Sequence, residues 1–361
     1  MQDGPRSPKS YEEYTVAVVC AIEFEMSAIR YMLDLEHSLP TKEGDSNIYV
    51  LGELNGHNVV LACLPGNQGK GSAAIVATNM ARTFPSIKWR FLVGIGGGVP
   101  SDKHDIRLGD VVVSMPEGQY GGVVQYDLGK DADDGFIPKG FLSPPPPLLR
   151  SAVVKMRSDH LVSENKIEEF LSAMLQRGRR LSIYQRPSTR HDVLFEAGYP
   201  HDSKNFTCET CDRQKSVHRP CREFEGPEIH YGLIASGDRV MRSAVKRNEL
   251  IRDVGDILYF EMEAAGLMTK FSCIVIRGIS DYADSHKNDA WQHFAAAAAA
   301  ACTKELLSYL DPEVVSAVSA PSISTVSNSD NIPAARHVFH GKGIQHSGSG
   351  SLVVRRDIHI G

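Results

Sequence analysis

Short runs of apolar residues recur along this chain, and each leads into a glycine-rich or acidic turn and then a helical pattern. TVAVVCAI (15–22) precedes EFEMSAIRYML, RFLVGIGGGVP (90–100) runs into a loop of glycines, and LGDVVVS (108–114) is a further apolar strand. Continuous apolar runs of this length, bounded by turn signals, read as strands buried on both faces. IYVLGELNGHNVVLACL (48–64) reads as a hairpin turning at Asn55-Gly56, a pair suited to positive φ, and PGNQGKGSAAIVATNMARTF supplies a glycine-rich turn into a helix. The pattern returns in EIHYGLIASGDRVM (228–241), DILYFEMEAAGLMTKF and SCIVIRGISDYAD, and closes on an alanine-rich helix that ends at Asp311. Strands interleaved with helices specify an α/β layered sheet with ligand loops at the strand ends.

With 361 residues, one large domain with additions fits better than two separate cores. The domain is expected over 14–310, after a flexible N-terminus (1–13). Between 131 and 226 the periodicity loosens around a proline run and a basic stretch, which reads as an insertion. A Ser/Ala/Val-rich linker (311–336) and a Gly/Ser-rich, β-prone tail (337–361) follow. The net charge of -5 argues against nucleic acid as a partner. No apolar run approaches the length of a membrane helix and the first residues lack a signal-peptide core, so a soluble cytoplasmic protein is expected. Seven cysteines without regular spacing fit reduced thiols.

Acidic residues at the ends of apolar strands are the informative anomaly, because burying a carboxylate without a partner is costly. They occur as Glu23 and Glu25, as Glu261 and Glu263, and as Asp281 and Asp284. Each could be a helix N-terminal carboxylate favoured by the helix dipole; three such places in one chain call for more.

Taken together, CAIEFE, the run Glu261-Met262-Glu263-Ala264 and the pair Ser280-Asp281 resemble, in order, the motifs of the purine and uridine phosphorylase superfamily, in particular its methylthioadenosine and adenosylhomocysteine nucleosidase branch. The resemblance covers about 14–130 and 227–310. It implies a nucleoside phosphorylase-like three-layer α/β/α fold with a mixed central sheet. It also implies that Glu25 activates water, Glu263 grips the ribose hydroxyls beside Glu261 and Met262, and Asp281 protonates the purine. Gly96 and Gly97 of the glycine run would line the base and ribose pocket, and main-chain atoms near Val240 and Met241 would read the purine edge. A carboxylate at the nucleophile position favours water over phosphate, which it would repel. No cofactor and no metal enter this chemistry.

ADSHKNDAWQHFAAAAAAACTKELL and FEMEAAGLM further resemble the phosphorylase-like effector domains of fungal NLR-type immune proteins, which implies an adenine-nucleotide nucleosidase cutting ATP to adenine and ribose triphosphate. Lys70 and Arg239 are the candidate 5′-phosphate contacts, with Arg242, Lys246, Arg247 and the basic residues of 177–190 nearby; ordinary solvated charge is the other reading of each. Alternatives are a purine nucleoside phosphorylase, a methylthioadenosine nucleosidase, or a nucleoside-binding sensor without turnover. Partners implied are the small-molecule nucleotide, further copies of the chain as dimer or trimer, and an NLR-type signalling partner reached through the tail. Cys208 and Cys211, with His201, His218 and Cys221 nearby, have the flavour of a zinc knuckle, but a second CxxC pair is missing and ordinary reduced cysteines fit as well.

Overall fold

The computed structural model describes residues 10–312, except 41, 134, 189–191, 203, 206 and 288. The tail and nearly all of the linker lie outside the described residues, as do the first nine. Tyr11–Glu13, expected to be flexible, form a 3-10 turn, and Tyr11 OH donates to Pro40 O at 2.6 Å.

The first strand, β1 (Val16–Cys20), is buried at every position and passes through a short turn into α1 (Glu23–Arg30). Next come β2 (Leu35–His37) and the hairpin β3 (Tyr49–Leu54) and β4 (His57–Cys63). Its turn is the expected one: Asn55 has φ 48° and Gly56 φ 78°, the left-handed conformations that a tight two-residue hairpin requires. α2 (Lys70–Thr83), β5 (Trp89–Gly98), β6 (Val111–Ser114) and β7 (Val123–Gln125) follow, then a separate hairpin of β8 (Gly129–Ala132) and β9 (Gly135–Pro138). After α3 (Pro147–Asp159) and α4 (Ile167–Leu175) the main sheet resumes with β10 (Ile229–Ser236), α5 (Ala244–Val254), β11 (Ile257–Glu261), α6 (Ala264–Met268), β12 (Ile274–Asp281) and α7 (Gln292–Leu307).

Ten strands form one mixed sheet in the order β11-β10-β6-β12-β5-β1-β4-β3-β2, with β7 beside β10. β1, β4, β5 and β12 run parallel, whereas β6 is antiparallel to β12. The sheet also curls. β11 pairs with β10 and again, antiparallel, with the end of β5 through Tyr259↔Gly98 and Phe260↔Gly97, closing a ring of β5, β12, β6, β10 and β11. That closure brings the C-terminal ends of β5, β11 and β12 to one place.

Helices pack on the sheet in two groups. α7 lies along β12 and β5 with α1 and α4 beside it, and α2 pairs with α6. The middle of α7 is apolar all round, and Ala295–Cys302 are buried without exception, as a helix segment enclosed on every side must be. Its alanines allow close approach: a Cβ on Gly278 of β12 would stand 1.9 Å from Ala295 O.

The expected insertion, 131–226, contains two helices that pack in the shared core. Pro147 occupies the first turn of α3, where its missing N–H costs nothing, and α3 and α4 bury Leu149, Val153, Met156, Ile167, Leu171 and Met174 in the same core as the strands. The proline run therefore leads into a core helix. What remains irregular is the stretch after Tyr184, up to β10.

Substituting Gly278→Ala should destabilise the fold by roughly 2–4 kcal/mol in urea unfolding, since α7 and β12 would have to separate. Gly71→Ala, in the first turn of α2 with open space around it, should instead stabilise by up to about 1 kcal/mol.

Candidate active site

The convergence of β5, β11 and β12 encloses one buried cation. Arg277, within the apolar run of β12, is 0% exposed. Its Nη2 donates to Glu261 Oε2 at 2.6 Å and to Glu263 Oε2 at 2.9 Å, and Nη1 lies 3.9 Å from Glu25 Oε1. Three carboxylates thus surround one guanidinium. Buried with all four groups charged, the cluster would carry net negative charge, and the carboxylates respond. Burial pushes the Glu25 carboxyl up to about 7 against the opposing pull of Arg277. Burial, with Glu261 alongside, also raises Glu263, again opposed by Arg277. Gly94 makes room for this cluster, since a Cβ there would stand 2.3 Å from Arg277 Nη1 and 2.4 Å from Glu25 Oε1.

Each carboxylate is also fixed by backbone. Glu25 sits in the first turn of α1, its Oε2 accepting from Ala21 N at 2.8 Å and Ile22 N at 3.0 Å and its Oε1 from Ile95 N at 2.8 Å. The helix-terminal explanation of this residue is therefore correct, and it coexists with a place on the pocket wall. Glu261 accepts from Glu263 N at 2.9 Å and from Ala264 N, tying down the start of α6. Glu263 Oε1 accepts from Gly69 N at 3.1 Å, just ahead of α2. Asp281 Oδ1 accepts from Ala283 N at 2.9 Å, and Lys287 Nζ donates to its Oδ2 at 2.8 Å. Glu23, by contrast, is exposed, and Asp284 is buried in the turn beyond β12.

These groups face a cavity of about 170 Å³. Glu25, Glu261, Glu263, Arg277 and Asp281 contribute to its wall, joined by Met262, Gly96, Gly97, Arg239, Val240 and Met241. The glycines are not in a loop, as the sequence suggested, but complete β5. A Cβ on Gly96 would stand 2.7 Å from Phe260 O, and one on Gly97 would stand 2.7 Å from the Ala283 Cβ, so close packing explains why a strand contains them.

Lys70 is placed differently from expectation. It does not line the cavity; its Nζ donates to Asp127 at 2.7 and 2.8 Å and lies 3.3 Å from Asp238. Asp238 in turn accepts from Lys70 N at 2.9 Å, so this ion pair anchors the loop that carries Arg239, Val240 and Met241. Arg239 does line the cavity, whereas two of the other basic candidates are engaged elsewhere. Arg247 is buried and donates to Tyr282 O, and Arg177 donates to Leu33 O at 2.6 Å. Arg190 lies outside the described residues.

Sequence reasoning missed Arg277, Lys287, Gln68 and Gln292, all on the cavity wall. Arg277 carried a readable signal, a charge in the middle of CIVIRGISD, of the same kind that singled out the carboxylates. Lys287 and the glutamines gave none, because they lie in polar segments where such residues are ordinary.

A family model described as Phosphorylase superfamily matches residues 15–311. A nucleotide-binding leucine-rich repeat (NLR)-like protein of Hyaloscypha variabilis is 42% identical over 308 residues, which cover 84% of this chain and 30% of that protein. The chain thus spans less than a third of the length of this curated relative. Among solved structures, the 5′-methylthioadenosine/S-adenosylhomocysteine nucleosidase of Neisseria meningitidis superposes with a TM-score of 0.53 at 21% identity, covering 82% of this chain and 99% of that one. Futalosine hydrolase of Helicobacter pylori gives 0.53 at 18%, covering 83% and 100%. At these identities the likeness is one of fold.

Replacing Arg277 by Met should cost about 3–5 kcal/mol of stability, because it leaves carboxylates buried without a counter-charge. Urea unfolding should show a smaller loss at pH 5 than at pH 8, since protonation relieves the unpaired carboxylates at low pH. An equal loss at both would mean that Arg277 acts through packing alone.

Proposed function

The chain belongs to the phosphorylase superfamily, and on that premise we propose that it hydrolyses the N-glycosidic bond of an adenine nucleotide, with ATP yielding adenine and ribose 5′-triphosphate. The observation that carries hydrolysis is the environment of Glu25. Its Oε2 already accepts two backbone N–H groups, whereas Oε1 accepts one and keeps a lone pair for a water proton. Burial holds its carboxyl at about 7, where a general base is half deprotonated near neutral pH and still basic enough to take a proton. A phosphate nucleophile would need cations at this wall. Arg277 is held by carboxylates, and Glu25 itself would repel an anion.

The remaining roles follow from the same geometry. Asp281, which must take up a proton before the step, delivers it to the purine as the bond between its ring nitrogen and C1′ breaks, and Lys287, which donates to Oδ2, stabilises the carboxylate left behind. Glu263, held by Arg277 and Gly69 N, retains lone pairs on both oxygens for the ribose hydroxyls. Water then adds to the oxocarbenium-like C1′, its proton passing to Glu25 Oε1. The electron pair of the broken bond leaves with the base.

The nucleotide part of the proposal rests on Arg239 as a lining cation, Lys70 acting only by anchoring the Arg239 loop. The cavity is smaller than the ~300–1,000 Å³ usual for small-molecule sites. A base and ribose would be enclosed while a 5′ chain projects outward past Val240, which is 55% exposed. Methylthioadenosine is the second reading, favoured by the apolar lining of Ile22, Val240, Met241 and Met262. The chain would serve as the effector portion of an immune protein acting in the cytoplasm, in keeping with its similarity to the NLR-like protein, and would work as a dimer or trimer.

Chromatography of products from ATP, adenosine and methylthioadenosine, each with and without phosphate, tests the proposal. Adenine should appear from ATP at a rate indifferent to phosphate. Strict phosphate dependence would make the enzyme a phosphorylase, turnover of methylthioadenosine alone would remove the nucleotide reading, and no turnover would leave a binding protein.

In the active enzyme, kcat/KM should show a limb that rises as the pH increases through about 7, as Glu25 loses its proton. Glu25→Gln and Asp281→Asn should each lower kcat by about 10²–10⁴-fold with the fold retained by circular dichroism, and Glu25→Gln should abolish the rising limb.

A further inference from the structure

The loop between α4 and β10 gathers a set of soft ligands that the glycosidic chemistry does not use. His201, Cys208 and Cys211 each offer a ligand atom, and these atoms lie within 4.8 Å of one another. The two cysteines are brought together by a single 3-10 turn, Cys208–Thr210, in which Cys211 N donates to Cys208 O at 3.2 Å. Both thiols are free and half-buried. His218 and Cys221, the other residues singled out by sequence, are absent from the cluster; both line a groove elsewhere, and Cys221 is exposed.

A second observation points to the same place. His286 is 8% exposed, and its Nε2 is buried without a hydrogen-bond partner. Its ring stacks on Phe195 at 4.2 Å and meets the His201 ring edge-on at 5.4 Å between centroids. An orphaned buried nitrogen on a ring beside the His201 imidazole is costly unless a partner meets it. His201 is itself fixed in place, since its Nε2 lies 3.2 Å from Thr207 O and its backbone N–H donates to Ser285 Oγ at 2.9 Å.

We propose that His201, Cys208 and Cys211 bind a structural zinc ion, with the His286 ring against that of His201. Two thiolates and an imidazole match the preference of zinc for sulfur and nitrogen, and tetrahedral ligation would draw their atoms to roughly 3.5–4 Å apart, a small contraction from the present spacing. The ion would clip the 201–211 loop onto the turn at Ser285 and His286. That turn lies between Asp281 and Lys287, so the metal would hold the backbone that sets the Asp281–Lys287 contact, without touching substrate.

The test uses the full chain, purified without a histidine tag and without chelator. Plasma mass spectrometry should find about one zinc per chain, and the Cys208→Ser/Cys211→Ser variant should lose it while Cys221→Ser keeps it. Cobalt(II) in place of zinc should give thiolate-to-metal charge-transfer absorption that the double variant lacks. Chelation should lower the unfolding temperature of the wild type and leave that of the double variant unchanged. Wild-type protein free of zinc that also fails to take up cobalt would overturn the proposal, whether or not the variants fold. So would zinc retained by the double variant, or five titratable thiols in place of seven, which would mean a Cys208–Cys211 disulfide.

Discussion

One guanidinium against three carboxylates is the interaction on which the rest of this structure depends. Arg277 reaches Glu261 and Glu263 by direct hydrogen bonds and Glu25 at longer range, and these residues come from β12, β11, the turn before α6 and the first turn of α1. Distant parts of the chain are therefore held at one point by charge. A buried ion pair is weak evidence for stability, because desolvation offsets much of the attraction. Its value here lies in the excess of carboxylates over cations. Burial, reinforced by the neighbouring carboxylates and opposed by Arg277, keeps Glu25 and Glu263 above their ordinary range, and it makes protonation of Glu25 responsive near neutral pH.

The same carboxylates end or begin secondary structure. Glu25 and Glu261 satisfy backbone N–H groups at the starts of α1 and α6, which otherwise have no partners. Combining the two tasks gives the cavity wall its rigidity: a side chain tied to two or three backbone donors cannot swing away when a ligand enters. Lys70 works similarly at one remove. It neutralises Asp127 and approaches Asp238, and through them sets the position of the loop ending in Val240 and Met241.

Curling of the sheet is what joins these parts. Had β11 paired with β10 alone, Glu261 and Glu263 would lie at the edge of an open sheet. The antiparallel return of β11 onto Gly97 and Gly98 turns that edge inward over β12; glycine at 96 leaves space for β11 and glycine at 97 leaves space for Ala283.

Much of this was legible beforehand. Strand and helix order, the Asn55-Gly56 turn, the buried alanine helix and the acidic residues at strand ends follow from local pattern: apolar periodicity, turn chemistry and the cost of burying charge are properties of short segments. What remained out of reach was set by partners distant in sequence. Lys70 looked like a free cation until Asp127 and Asp238 closed on it, and the glycine run looked like a loop until β11 and β12 paired along it. The helices of 147–175 looked peripheral until they shared a core with the strands. Arg277 could be recognised as anomalous from its neighbours alone, but its part as the shared counter-ion of Glu25, Glu261 and Glu263 was decided by the fold, because electrostatic pairing depends on separation in space.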